Sequence, residues 1–313
     1  MKPSSTKRLL AIINYNSGSG SGYQLKDCLQ QLAQRHGYSL LILSPQEASA
    51  LPDEDWHQFD KYIIAGGDGT LSQQICRFAG STIAFHIVPL GTGNDLAREF
   101  GLSHLSTLKE QELEAYILGE KTRNMQIWEC SFPQTNEVPI RFMNYFSIGL
   151  EAAVIKKFSM GREKQKAWFG SRIINRLLYA RYTLQELKKG KTIIVNQLIS
   201  ESNKQTQTPK HLLSICFTNL SSLMGLGWQK PRGNPEDMLI EVRFMQSIWN
   251  YFKTMSPLGK QAPYAEGCKW ALHLENEIES IQFDGEPKQL TQPVRSLDIR
   301  PLGAVHISLF PKT

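Results

Sequence analysis

The chain has 313 residues, a length that favours two domains over a single hydrophobic core. Hydrophobic residues make up 41% and charged residues 20% of the chain, a composition that excludes an intrinsically disordered protein. No apolar run is long enough to cross a bilayer, and residues 1–7 are too polar for a signal peptide.

The net charge and the spacing of the cysteines indicate which partners and which cellular compartment to expect. A net charge of +6 suits an anionic membrane surface, nucleic acid or simple solubility. Because the sequence contains no RNA- or DNA-binding signature, we expect no nucleic-acid partner. The cysteines lack any CxxC spacing, so neither a disulfide framework nor a zinc site is indicated, and a cytoplasmic location fits best. They are Cys28, Cys76, Cys130, Cys216 and Cys268.

The first part of the chain alternates between strand and helix patterns. Short apolar runs bounded by Gly, Pro or Ser predict strands at residues 9–14, 39–43, 62–65 and 82–88. Apolar residues at helical spacing predict helices at residues 24–36 and 71–78. Such alternation predicts an α/β domain with a parallel sheet, whose ligand binds beyond the carboxyl ends of the strands.

After about residue 128 the pattern changes to strands with few helices between them, which suggests a β-sandwich or barrel. The predicted strands are residues 141–148, 192–198, 212–217, 238–244, 270–274, 280–283 and 306–310. One long helical stretch at about residues 164–189 interrupts them, and the polar residues 200–210 predict a flexible loop.

A glycine-rich turn directly follows the third predicted strand. It consists of Gly66, Gly67, Asp68, Gly69 and Thr70. Glycines let backbone N–H groups approach a phosphate, and Thr70 followed by Gln73 has capping-box spacing, so the next helix offers its N-terminus to an anion. Because an aspartate would repel phosphate unless a cation lay between them, Asp68 indicates Mg²⁺. An ordinary turn with an exposed aspartate is the alternative.

Two further turns repeat this pattern. The first follows the fourth strand and contains Gly91, Thr92, Gly93, a helix-capping Asn94 and Asp95. The second is the Gly/Ser run at residues 14–22, which alone could be a linker. No Gly-Lys-Ser/Thr follows any of the turns, so they are not a Walker P-loop. Three such turns after strands together favour a phosphate site.

These strings resemble the catalytic domain of diacylglycerol kinases, a family of soluble lipid kinases. Two strings of this sequence are similar to signatures of that family. They are GGDGT at residues 66–70 and PLGTGNDLAR at residues 89–98. The resemblance continues at residues 144–149 and 169–172 and ends in FDGEP at residues 283–287. It implies an ATP-binding α/β domain and a β-sandwich domain with the active site in the cleft between them. It also implies transfer of the ATP γ-phosphate to a lipid hydroxyl, with diacylglycerol as the default substrate and phosphatidic acid as product.

We place the domain boundary so that the ATP-binding domain covers residues 1–128 and the lipid-substrate domain residues 129–313, where the last strand can return to the first domain. The expected ATP contacts are Asn14, Ser17, Gly18, Gly66, Gly67, Asp68, Gly69, Thr70, Gly91, Thr92, Gly93 and Asn94. Mg²⁺ is expected at Asp68, with Asp95 and Asp237 as further ligands. The resemblance implies that Glu286 is the general base and that Asp284 positions it or the metal.

A basic stretch at residues 156–191 combines Lys and Arg with interleaved aromatics. The aromatics are Phe158, Trp168, Phe169, Tyr179 and Tyr182. This combination suits a surface that rests on anionic lipid, and a solvated helix whose aromatics face the core is the alternative. We expect peripheral membrane association, since an enzyme acting on a bilayer lipid must touch the bilayer.

The sequence departs from the family pattern at two positions. Gln126 stands where the family often has an aspartate of a metal-linked network, so a charge is lost. Met238 stands where glycine is usual, within a segment that otherwise resembles a structural metal loop. Because a residue with a side chain resists positive φ, we expect this loop to be altered.

Two alternative functions remain open at this point. GGDG turns also occur in NAD-kinase and phosphofructokinase relatives, which phosphorylate small molecules. A catalytically weak membrane-binding relative is the second alternative, and only the loss of charge at Gln126 supports it.

Overall fold

The computed structural model describes residues 7–17, 20–91, 94–107, 109–164, 172–201, 208–221, 233–247 and 265–311. The chain divides into two compact units. The first unit comprises Met1–Met125 and Ala304–Thr313, and the second comprises Gln126–Gly303.

The first unit is a parallel sheet with helices between its strands. Its strands are β1 (Lys7–Ile13), β2 (Tyr38–Leu43), β3 (Lys61–Gly66) and β4 (Ala84–Pro89). The order is β4-β3-β1-β2, and every pairing is parallel. The last strand of the chain, β14 (Glu286–Ser308), begins in the second unit and ends here, where His306 pairs with Ala84.

The helices of the first unit are α1 (Ser21–His36), α2 (Pro45–Ala50), α3 (Asp53–Trp56), α4 (Asp68–Ile75), α5 (Asp95–Glu99) and α6 (Glu110–Leu118). Short 3₁₀ turns occupy Cys76–Phe78 and Ser103–Thr107. The near-continuous apolar runs in β1 and β3 are buried, as parallel strands covered on both faces require. Helix α1 ends at Gly37, which takes the left-handed conformation that favours glycine.

The α/β fold predicted for this part of the chain is confirmed. Each of the four predicted strands overlaps an observed one, and the two predicted helices correspond to α1 and α4. Helices α2, α3, α5 and α6 were not predicted from the sequence. The first three are too short for helical periodicity, and α2 is defined by a capping box between Ser44 and Glu47.

The second unit is β-rich, which confirms the predicted change of class. Strand β5 (Thr122–Ser131) leads into it. Its other strands are β6 (Ile140–Phe142), β7 (Tyr145–Gly149), β8 (Ile193–Ser200), β9 (His211–Leu212), β10 (Ser214–Thr218), β11 (Ile240–Met245), β12 (Ala265–Gly267) and β13 (Trp270–Phe283). The sheet order is β12-β11-β10-β7-β13-β14, with antiparallel pairing throughout.

Several element boundaries in the second unit differ from the prediction. The single strand expected at residues 141–148 is wrong, because Met143 and Asn144 separate β6 from β7. The two strands expected at residues 270–274 and 280–283 are instead the ends of β13, whose pairing with β14 shifts register between His273 and Ser280. These differences arise from contacts with residues distant in sequence.

The helical stretch also differs from the prediction at residues 164–189. The structure has α7 (Leu150–Lys164) and α8 (Arg172–Leu187), so the helical region begins much earlier than expected. Most of the predicted loop at residues 200–210 lies outside the described residues. In the described part of the chain, no helix is long and apolar enough to span a membrane.

Candidate active site

The loops that follow β3 and β4 meet backbone to backbone at the carboxyl ends of these strands. The carbonyl of Gly66 accepts the N–H of Leu90 at 2.9 Å and of Gly91 at 3.3 Å. A Cβ on Gly91 would lie 2.7 Å from the Cα of Gly67, which is closer than such atoms approach. By contrast, a Cβ on Gly67 would meet only the Cα of Gly91, at an ordinary 3.6 Å. Gly91 is therefore required for the loops to meet, whereas Gly67 is not.

Asp68 joins the same two loops through its side chain. Its Oδ2 accepts the backbone N–H of Asp95 at 2.8 Å, and its Oδ1 accepts that of Leu96 at 3.2 Å. These N–H groups belong to the first turn of α5, where they have no partner within the helix. A carboxylate offers about four lone-pair sites, so accepting these N–H groups is compatible with coordination of a cation.

Asp95 has its own charged partner. Its side chain is 2% exposed, and its Oδ1 lies 2.6 Å from the guanidinium of Arg98. The negative charge is therefore compensated within α5. The assignment of Asp95 as a metal ligand stays a prediction, and a metal there would compete with Arg98.

Asn94 closes the second glycine turn. It takes the left-handed conformation, with φ 52°, and its Nδ2 donates to the carbonyl of Gly91 at 2.6 Å. Its Oδ1 is buried and makes no hydrogen bond within the described part of the chain. Asn94 is the N-cap residue of α5, as predicted, but its side chain makes no capping bond. Two other predicted ATP contacts of this turn, Thr92 and Gly93, lie outside the described residues.

The loop after β1 contacts the start of α4. The Nδ2 of Asn14 donates to the Oγ1 of Thr70 at 2.8 Å, and its Oδ1 accepts the N–H of Asn16 at 3.0 Å. The N–H of Ser17 donates to the carbonyl of Asn14 at 3.0 Å. The predicted contact Gly18 lies outside the described residues. The three predicted turns thus gather at the carboxyl ends of β1, β3 and β4.

One detail of the first turn was predicted wrongly. Helix α4 begins at Asp68 with Gly67 as N-cap, so Gly69 and Thr70 lie in its first turn. Thr70 therefore cannot act as the N-cap of a capping box. Its side chain packs on Gly66 instead, since a Cβ on Gly66 would lie 2.7 Å from the Cβ of Thr70.

In the second unit, Asp284 and Gly285 form the two-residue turn between β13 and β14. Both residues have positive φ, 47° and 84°, as tight hairpin turns of this length favour. The buried carboxylate of Asp284 accepts backbone N–H groups from Met143, Asn144 and Tyr145 at 2.8–2.9 Å. Asp284 therefore fixes this turn against the segment between β6 and β7, which is also the reason why β6 and β7 are separate strands.

Glu286 is the first residue after this turn. It is exposed and pairs with Phe283 across the hairpin. Its position is set by the turn that Asp284 anchors. The predicted role of Glu286 as general base and the predicted role of Asp284 in positioning it are compatible with this arrangement.

A buried row of polar side chains crosses four strands of the second unit, and the sequence analysis missed it. Arg243, Cys216, Ser147 and Gln282 lie side by side, and the hydroxyl of Ser147 donates to Gln282 at 2.7 Å. Glu151 of α7 is fully buried next to this row. Burial raises the pKa of Glu151 to about 7, although Ser147, Cys216 and Arg243 act to lower it. The sequence does carry a signal for this row at residues 214–218, where Ser, Cys and Thr alternate with Ile and Phe and so place polar side chains on one face of a strand.

Gln126 uses its side chain as a donor. It is buried, and its Nε2 lies 2.8 Å from the carbonyl oxygen of Ile127 and 3.1 Å from that of Gly303. An aspartate would place negative charge against these carbonyl oxygens. The side chain of Gln126 therefore has a structural role here.

Met238 takes the left-handed conformation despite its side chain, with φ 58°. The residue is 53% exposed. The predicted alteration of a structural metal loop at this position stays a prediction. The neighbouring Asp237 accepts the N–H of Leu239 at 2.9 Å, and its role as a metal ligand stays a prediction.

Two aromatics of the basic stretch face the core, and the contact of this stretch with a membrane surface stays a prediction. Tyr179 and Tyr182 pack against the buried side chains of Leu150, Val154 and Met245, so these aromatics face the core. Other side chains of α7 and α8 are apolar and exposed. They are Met160 at 48%, Leu177 at 65% and Leu184 at 56%. Trp168 and Phe169 lie outside the described residues.

A parallel sheet whose glycine turns gather at the carboxyl ends of its strands, followed by a β-rich unit with a fixed acidic turn, is the architecture that the resemblance to diacylglycerol kinases implied. The comparisons with known proteins agree. Residues 8–130 match the diacylglycerol kinase catalytic domain, and residues 141–287 match the diacylglycerol kinase accessory domain. The chain belongs to the diacylglycerol kinase family, as its motifs predicted.

The curated relatives are distant in sequence. The chain is 25% identical to diacylglycerol kinase 2 of Arabidopsis thaliana over 91% of its length, which is 44% of that protein. It is 24% identical to diacylglycerol kinase theta of Homo sapiens over 89% of its length, which is 32% of that protein. The chain thus spans less than half the length of these relatives.

A solved structure shares the fold over nearly the whole chain. The crystal structure of a diacylglycerol kinase from Bacillus anthracis str. Sterne has a TM-score of 0.64 and 18% sequence identity. The match covers 97% of this chain and 98% of that one. At this identity, the likeness establishes the fold.

Proposed function

We propose that this chain transfers the γ-phosphate of ATP to the hydroxyl of a membrane lipid, with diacylglycerol as substrate and phosphatidic acid as product. The contact between Asp68 and the first turn of α5 is the observation that supports the proposal most strongly. It brings together the two glycine turns whose backbone can approach phosphate. The buried Oδ1 of Asn94 and the glycine at position 67, where a Cβ would meet only the Cα of Gly91, fit a ligand at this place.

The donor set also fits Mg²⁺. This ion commonly uses only one or two protein carboxylates, together with phosphate oxygens and water, so Asp68 alone suffices as its protein ligand. When bound, Mg²⁺ would neutralise charge on the phosphates during transfer. Asp68 would hold the ion while its N–H bonds keep both turns in place.

In the reaction, Glu286 accepts the proton of the lipid hydroxyl as the hydroxyl oxygen bonds to the γ-phosphorus and ADP leaves. Phosphoryl transfer needs little more than positioning and charge neutralisation, so a weak base is sufficient. Asp284 does not touch the substrate. It positions Glu286, since its three N–H contacts fix the turn that precedes this residue.

The lipid substrate implies contact with a membrane surface, and we place this contact on α7 and α8. Leu177 and Leu184 are exposed apolar side chains on α8, a helix that lies within the basic stretch. Cations with exposed apolar side chains suit peripheral association with an anionic bilayer from the cytoplasmic side. Replacing both leucines by serine should weaken binding to anionic vesicles, whereas Val138→Ser should not, because Val138 lies outside these helices. Equal binding of all variants would contradict this placement.

The proposed reaction can be tested with radiolabelled ATP and a panel of acceptors in mixed micelles. The panel contains diacylglycerol, a sphingoid base, ceramide and NAD. We expect label in diacylglycerol, and none in any acceptor without divalent cation. Label in NAD with none in any lipid would instead support a small-molecule kinase. Binding of ATP without label in any acceptor would support a membrane-binding relative that has lost catalysis.

A further inference from the structure

Tyr15 and Tyr23 form an aromatic pair at the connection between β1 and α1. Their ring centroids are 4.8 Å apart, and the ring planes are inclined by 37°. Tyr15 directly follows Asn14, which contacts Thr70, and Tyr23 lies in the first turn of α1. Tyr15 is therefore adjacent in sequence to the residue that joins this loop to α4.

Gly22 allows the two rings to meet. A Cβ at this position would lie 3.1 Å from Cδ1 of Tyr15 and 3.3 Å from its Cα. Such distances are tighter than ordinary van der Waals contact. Because glycine lacks this atom, Tyr15 lies directly against the first turn of α1, next to the ring of Tyr23.

The ring of Tyr23 is open to a ligand. Tyr23 is 64% exposed, and it is the one aromatic among the large apolar side chains that are exposed in the described part of the chain. Tyr15 is half-buried, and its ring lies against that of Tyr23. A flat ring held in place by a second ring is the kind of surface on which nucleobases stack.

The acidic side chains near the tyrosine pair favour a nucleobase over a phosphate group at this place. Burial raises the pKa of Tyr15, and Tyr23, Glu47 and Asp27 raise it further, so two carboxylates lie near this ring. Negative charge opposes a phosphate group. It attracts groups that donate hydrogen bonds, such as the amino group of adenine and the hydroxyls of ribose.

We propose that the base of the phosphate donor stacks on Tyr23, with Tyr15 as its support. This inference rests on the proposed kinase function and deepens it, because the glycine turns supply backbone groups for the phosphates and the tyrosine pair supplies a surface for the base. It assigns donor selectivity to the Tyr15–Tyr23 pair. The acidic side chains favour a base that carries an amino group, as the adenine of ATP does.

The test measures equilibrium binding of ATP and of inorganic tripolyphosphate to the full chain, by competition with a fluorescent ATP analogue in the presence of Mg²⁺. Tyr23→Ala should weaken ATP binding by about 5- to 100-fold, the range of a lost base–aromatic stack. Tripolyphosphate has no base, so its affinity should not change. Tyr23→Phe should bind ATP like the wild type. Tyr38→Ala is the matched control, because Tyr38 lies at the amino end of β2, away from the turns.

Each outcome decides the inference. Unchanged ATP affinity in Tyr23→Ala would overturn it. An equal loss of affinity for ATP and tripolyphosphate would also overturn it, because the variant would then disturb the phosphate loops. A wild-type protein that binds tripolyphosphate and ATP equally well would overturn the base site while leaving the phosphate site in place. A wild-type protein that binds neither would refute the proposed kinase function itself.

Discussion

The carboxylate of Asp68 and the backbone N–H of Asp95 lie 2.8 Å apart, although the two residues belong to different glycine turns. The contact places a negative charge at the N-terminus of α5, where the helix dipole favours it. It also means that Asp68 has two tasks, because the same carboxylate is the proposed ligand of Mg²⁺.

Asp68→Asn should separate these two tasks. The amide keeps one acceptor oxygen, so we expect a modest loss of stability, about 1 kcal/mol, typical of a lost helix cap. Turnover should fall by at least about 10²-fold, because the charge facing the metal is gone. Steady-state kinetics across a Mg²⁺ titration and urea unfolding measure the two effects. Asp60→Asn, at the start of β3 and away from the turns, is the control.

A variant that lost stability and activity in proportion would show that Asp68 is only a structural cap. Equal activity with and without divalent cation would show that the metal has no part in the reaction.

Gly67 and Gly91 should respond differently to the same substitution. Gly67→Ala places its Cβ at an ordinary 3.6 Å from Gly91, so the fold should be retained while nucleotide affinity falls, since the methyl group occupies space needed by phosphate. Gly91→Ala places its Cβ 2.7 Å from a backbone atom of Gly67, so it should lower the melting temperature. Thermal unfolding and ATP binding distinguish the two. If Gly67→Ala bound ATP like the wild type, Gly67 would not lie against phosphate.

His86 should make the stability of the first unit depend on pH. Burial lowers its pKa to about 4, and the nearby positive charge of Lys61 acts in the same direction. The unfolded chain therefore binds a proton near pH 6.5, before the folded chain does. The free energy of unfolding should therefore decrease by about 3 kcal/mol as the pH falls from 6.5 toward 4.

The wild-type protein is compared with the variant His86→Phe, which keeps the aromatic contact with Tyr116 and cannot titrate. Urea unfolding at several pH values gives the difference in free energy of unfolding between the two proteins. That difference should move in favour of the variant on acidification. A constant difference from pH 7 to pH 4 would mean that the imidazole binds its proton equally well in both states.

The sequence predicted what is local and missed what depends on pairing between distant segments. The glycine turns and their positions after strands are visible in the residues themselves. The contact between Asp68 and Asp95 is not, because it requires β3 and β4 to be neighbours. The same holds for Asp284, whose partners at residues 143–145 are far away in the chain. Their contact with Asp284 is what divides the predicted strand at residues 141–148.

The proposed mechanism depends on Glu286 as the general base. Glu286→Gln keeps the size of the side chain and removes its ability to accept a proton. General-base assistance typically contributes about 10²–10⁴-fold, so kcat should fall by that factor with little change in the KM for ATP. Because Glu286 is exposed and lies outside the buried polar row, the melting temperature should not change. Glu279→Gln is the matched control, since Glu279 is an exposed glutamate on β13.

Asp284→Asn completes this test. An asparagine can accept the backbone N–H groups with only one oxygen, so the turn should loosen, and both stability and kcat should fall. If Glu286→Gln turned over at the wild-type rate, the hydroxyl proton would leave by another route. Asp284 would then fix a turn that has no part in proton transfer.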